Sequence, residues 1–114
     1  MGETANFPYS GYGPPTYSEK EIQALRIKQV HFLAEHFLFL LSDGRVLCVP
    51  LSIRPDLESA PQEQRYQWQL IGEGRAVVWH TDTLQEHVSL RGLLEYPEAR
   101  VGELPDGVSL PSPR

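Results

Sequence analysis

Four side chains that can bind metal or move protons crowd one short stretch of this sequence: His80, Asp82, Glu86 and His87. Imidazole and carboxylate groups are zinc ligands, and a histidine beside an acid is the raw material of general acid–base catalysis. The spacing supports neither. His80 and His87 are seven residues apart and His31 and His36 five apart, which are not paired-ligand spacings. The only cysteine, Cys48, has no second thiol to join it. The stretch reads as a polar loop at the end of a strand, with no metal and no cofactor expected.

Other chemistries fare no better. A cysteine nucleophile has to be accessible and beside a base, whereas Cys48 lies between Leu47 and Val49 and is expected to be a small buried apolar side chain. No glycine-rich phosphate loop is present, and Gly72-Glu73-Gly74 is explained by a tight turn. No serine sits in a nucleophile elbow, and no carboxylate spacing marks a hydrolase pair. Trp68 and Trp79 have the size to stack on a ligand, but large aromatics in strand patterns are expected in the core. Arg65, just before a strand pattern, is a candidate anion binder, with a structural ion pair to the Asp82–Glu86 segment as the competing expectation. No catalytic residue is assigned, and the chain is not expected to be an enzyme.

The length of 114 residues fits one domain. Net charge is −5, which opposes broad electrostatic binding to nucleic acid. The longest apolar run, Phe37 to Leu41, is five residues, against about 20 for a membrane span. No basic start with an apolar signal core is seen. No membrane association and a cytoplasmic location are therefore expected.

The elements that would position these groups follow from pattern. Residues 1–20 form an irregular Tyr/Pro/Gly-rich arm holding Phe7, Tyr9, Tyr12 and Tyr17. Ser18 precedes Glu21 by three, a capping box for one helical turn. Leu25 and Ile27 share one face of a strand and Val30 and Phe32 the other parity, so a bulge near Lys28-Gln29 is needed to point all four inward. His36–Leu41 and Arg45–Leu51 flank Ser42-Asp43-Gly44 as a hairpin, and Trp68–Ile71 and Ala76–His80 flank the glycines as a second. Between them, Pro55 opens a short helix, and Ser59 is expected to cap another from about Ala60 to Tyr66. Leu84 and Val88 flank a short polar element. Ser89 caps a last helical turn carrying Leu90, Leu93 and Leu94. The expected fold is α+β: a small antiparallel sheet of two hairpins with short connecting helices over residues 21–96, followed by an irregular Pro-rich tail from residue 97 to 114.

Taken in order, Leu41-Ser42-Asp43-Gly44-Arg45, Val49-Pro50-Leu51, Pro55-Asp56-Leu57, Gln64-Arg65, Trp68, Gly72, Gly74, Trp79 and Leu93-Leu94 resemble the pattern of domain of unknown function 2442, over some 60 to 70 residues. In that family an acidic Leu-Asp-Glu-Asp-Ile stretch commonly follows the second aromatic. Here Leu84-Gln85-Glu86-His87-Val88 stands in its place, and of those acids only Glu86 remains. The resemblance implies a small α+β fold with no established enzymatic activity. It also implies a prokaryotic setting and a role as an accessory or antitoxin-like protein whose partner is encoded nearby.

The leading expectation is thus a non-catalytic protein-binding module. Its candidate partner-binding residues are Phe7, Tyr9, Tyr12 and Tyr17 of the arm, Arg65, and Glu86 and His87 of the altered stretch. One alternative is a nucleic-acid-associated subunit of a ribonucleoprotein, which requires Arg26, Lys28, Arg54, Arg65, Arg75 and Arg91 to gather on one face. Another is a cryptic metal-dependent enzyme built on the His80–His87 region.

Overall fold

A computed structural model describes residues 11–33 and 35–103. Phe7 and Tyr9 lie outside the described residues. Within them, seven strands form two antiparallel sheets. One has the order β1 (Ile27–Leu33), β2 (His36–Leu41), β3 (Val46–Pro50), β7 (Arg100–Gly102). The other has β4 (Trp68–Ile71), β5 (Ala76–His80), β6 (Gln85–Ser89). Four short α-helices connect or flank them: α1 (Glu19–Ala24), α2 (Pro55–Glu58), α3 (Gln62–Arg65) and α4 (Leu90–Leu94). The fold is α+β and both anticipated hairpins are present, one in each sheet.

Local chemistry accounts for most of these boundaries. Ser18 and Glu21 exchange both capping-box hydrogen bonds at the start of α1. Pro55 stands in the first turn of α2, where its missing N–H costs nothing. Ser89 caps α4 by accepting from the Gly92 amide at 3.0 Å. The register between β1 and β2 slips between Ile27 and Gln29, so the bulge falls where the parity of the apolar residues requires it. Ile27 and Val30 consequently both face the core.

The core lies between the inner faces of the sheets. Phe37, Phe39, Leu47 and Val49 meet Val77, Trp79 and Val88, with Leu57 of α2 and Leu93 of α4 filling in. Phe37 stacks on Phe39 and presents its edge region to Trp79 at 6.1 Å between centroids. On the reverse face of the four-stranded sheet, Leu38, Val46 and Cys48 form a second buried cluster, against which Tyr12 packs. Burial pushes the Cys48 thiol up to about 12. Native protein is therefore expected to resist a thiol reagent such as DTNB at pH 8, with one equivalent reacting promptly after denaturation. Fast labelling of the folded chain contradicts the packing of β3.

Three expectations need correction. The segment Leu84–Val88, read as a short polar element, is largely the strand β6, and it pairs with β5 from Ala76↔Ser89 to His80↔Gln85. The tail from residue 97, read as irregular, contributes β7 beside β3. Ser59 does not cap α3: its hydroxyl donates to the Pro55 carbonyl, Pro61 occupies the cap position, and α3 is only Gln62–Arg65.

Candidate functional site

The register of β5 and β6 decides what the titratable stretch can do. Glu86 lies opposite Trp79 and His87 opposite Val78, so neighbours in sequence point to opposite faces. Trp79 is in the core, which brings Glu86 to the inner side, while His80, Gln85 and His87 face outward. The connecting turn is held by hydroxyls. Thr81 and Thr83 both donate to Gln64 Oε1 at 2.8 Å, and Thr81 Oγ1 accepts from the Leu84 amide at 3.0 Å. Among the described residues, no group of three or more His, Cys, Asp or Glu side chains is placed to hold a metal ion.

Glu86 instead meets Arg54, whose Nε lies 3.3 Å from Glu86 Oε1. The same guanidinium donates through Nη1 to the Tyr96 hydroxyl and the Ile53 carbonyl, each at 3.1 Å, and through Nη2 to the His87 carbonyl at 3.5 Å. Arg54, His87 and Tyr96 line a cleft of about 340 Å³ between β6 and the end of α4. Burial holds the Glu86 carboxyl above its ordinary range, helped by its hydrogen bond with Asp56 and opposed by Arg54. The site can retain a proton and tie three elements together, but it contains no activated nucleophile.

The sign of the resulting pH effect is fixed. Below the ordinary glutamate value near 4.5, Glu86 is protonated in both the folded and unfolded chains. As pH rises, the unfolded chain ionises first, so the contribution of Glu86 to stability falls until the folded carboxyl has also ionised. Glu86→Gln is expected to remove this component. The stability of the wild type relative to the variant should decline between pH 4 and 7 in urea titrations, and a difference that rises with pH contradicts the assignment.

Arg65 makes bonds to backbone carbonyls of its own chain. Its Nε donates to the Leu57 carbonyl at 2.9 Å and its Nη2 to the Glu58 carbonyl at 2.6 Å, and its guanidinium lies over the Phe32 ring. These carbonyls close the short helix α2, where intrahelical donors run out. Its own carbonyl accepts from Trp79 Nε1 at 2.7 Å. The ion pair expected between Arg65 and the Asp82–Glu86 segment is thus made to Glu86 by Arg54.

The two described arm aromatics lie against their own domain. Gly13 bridges Val101 on the outer side of β7, and the Tyr12 ring covers Gly102 while its hydroxyl donates to the Glu103 carbonyl. Tyr17 donates to Asp43 Oδ2 at 2.8 Å, with the Arg45 guanidinium over its ring. Several cations are similarly engaged: Arg91 grips Glu19 through two bonds of 2.8 and 2.6 Å, and Arg26 donates to the Gln23 and Leu25 carbonyls. Lys28 and Arg75 are exposed.

A different surface stands out. Among the described residues, the exposed large apolar side chains are Leu33, Tyr66, Leu70 and Ile71. Three of the four fall within six residues that end in β4, an edge strand of the smaller sheet. Leu70 lies opposite Val77 and Ile71 opposite Ala76, so both faces of β4 present an apolar group. Sequence reasoning treated Trp68–Ile71 only as half of a hairpin. The signal for more was the adjacent pair Leu70-Ile71, which breaks the alternation of a strand with one wet face.

One family profile, described as a protein of unknown function (DUF2442), matches residues 27–98, which is 72 of the 114 residues. No curated protein matches the chain. No solved structure matches it either.

Proposed function

We propose, from the premise that this chain belongs to the DUF2442 family of proteins of unknown function, that it is a non-catalytic protein-binding module. It serves as an accessory subunit or antitoxin-like partner of another protein. The observation that carries this reading is the exposed apolar segment at Tyr66, Leu70 and Ile71, on and beside the terminal strand β4 of the smaller sheet. Exposed apolar side chains that cluster mark association surfaces more often than scattered ones do. The ribonucleoprotein alternative is weaker. Arg26, Arg54, Arg65 and Arg91 hold acceptors of their own chain, which withdraws four of the six cations that reading needs. The described residues contain no helix long and apolar enough to cross a membrane.

Affinity capture from the native host, with wild-type chain and Leu70→Lys as parallel baits, tests the reading. A stoichiometric protein held by the wild type and lost by the variant is the expected result. Equal recovery by both baits, or recovery of none, overturns it.

A further inference from the structure

Arg54 has more donors than its neighbours have acceptors. A guanidinium carries five N–H donors. Nε meets Glu86 at 3.3 Å, and the two Nη1 protons go to the Ile53 carbonyl and the Tyr96 hydroxyl. Nη2 has only the His87 carbonyl, at 3.5 Å, which is long for such a bond. One Nη2 proton therefore has no acceptor among the described residues, so solvent or a ligand has to supply it. The Tyr96 hydroxyl is in the same condition. It accepts from Arg54, and its own proton meets no acceptor among the described residues.

Both donors border the cleft between β6 and the end of α4. Tyr96 and His87, acceptors on the Nη side, line it together with Arg54, whereas Glu86, which meets Nε, does not. Val88 and Leu93, both buried, and Pro97 give the cleft an apolar side. Its volume of about 340 Å³ is at the small end for ligand pockets. Glu95 stands exposed at the rim, and its charge opposes a dianion more than a monoanion.

We infer that this cleft binds a small organic monocarboxylate with an apolar body, one carboxylate oxygen accepting from Arg54 Nη2 and the other from the Tyr96 hydroxyl. Two donors match the two oxygens of a carboxylate, and hydrogen bonds to an ionised group are the strong ones. The apolar body lies against Val88, Leu93 and Pro97, and a cleft of this size takes a body about as large as a phenyl ring. Glu86 is the internal competitor, because its carboxylate draws on the same guanidinium. None of the residues Tyr66 to Ile71 lines the cleft, so this site and the accessory role stand or fall separately.

Heteronuclear NMR titration of the full chain with phenylacetate is the test, with benzyl alcohol and inorganic phosphate as parallel probes at the same pH and ionic strength. Phenylacetate should give saturable shifts at the amides of Val88, Ser89, Gly92 and Leu93, and the other two probes weaker shifts or none. Tyr96→Phe should raise the dissociation constant about tenfold, because it removes one of the two donors to the ionised group. Glu86→Gln should lower it about threefold by relieving Arg54 of a competing charge. A retained thermal transition shows that either variant still folds. Absence of saturable shifts at these residues, equal binding of benzyl alcohol, or tighter binding of phosphate overturns the inference. So does a constant unmoved by Tyr96→Phe, or one not lowered by Glu86→Gln.

Discussion

Gly74→Ala is expected to lower the folding stability by about 3 kcal/mol, which for a domain of this size is a fall of roughly 10–20 °C in Tm. Two causes add. Gly74 has φ +94°, a conformation that side-chain-bearing residues adopt at a cost. A methyl there would also sit 2.6 Å from the Ile27 carbonyl oxygen and 3.2 Å from Arg26 Cβ. The first neighbour is backbone, so the second hairpin has to lift away from the start of β1. Gly44 separates the causes, because it has φ +91° but a methyl there would meet nothing within 4 Å. Gly44→Ala should cost only about 1 kcal/mol. Urea denaturation of the two variants checks this. Equal losses would mean that the close approach at Ile27 contributes nothing.

Trp79→Ala should cost about 3–5 kcal/mol. The indole is 1 % exposed, meets Phe37 in the centre of the core, and donates to the Arg65 carbonyl at 2.7 Å. Trp79→Phe keeps most of the apolar contact but leaves that carbonyl without its donor. It should cost about 1–3 kcal/mol. Equilibrium unfolding of the series gives the ranking wild type, Phe, Ala. A Phe variant as stable as the wild type would show that Arg65 and α3 are positioned by something other than the indole.

The legible parts of the fold were those fixed by neighbours in sequence. Asp43-Gly44 and Gly72–Gly74 located both hairpins, and the parity change around Lys28 located the bulge. Ser18 and Ser89 announced their caps. What escaped was whatever pairing alone creates. Gln85-Glu86-His87 has little preference for a strand, and only β5 alongside makes it one. Arg100-Val101-Gly102 is too short to announce itself, and it is a strand because β3 holds one side and Gly13 the other. The candidate sites shared this fate. Choosing Arg54 over Arg65 as the partner of Glu86 depends on which face β6 turns inward. Recognising β4 as the terminal strand of its sheet depends on the strand order, which no local pattern contains.

The bridge between Gly13 and Val101 has a topological consequence. It places the entry and the exit of the folded unit side by side, with Tyr12 lying on Gly102 and Glu103. A domain whose two attachment points coincide can be spliced into a surface loop of a host protein without prising that loop apart, and its order can be circularly permuted through a short joint. Passengers fused directly before residue 11 and directly after residue 103 would start from the same corner of the folded unit and emerge as neighbours.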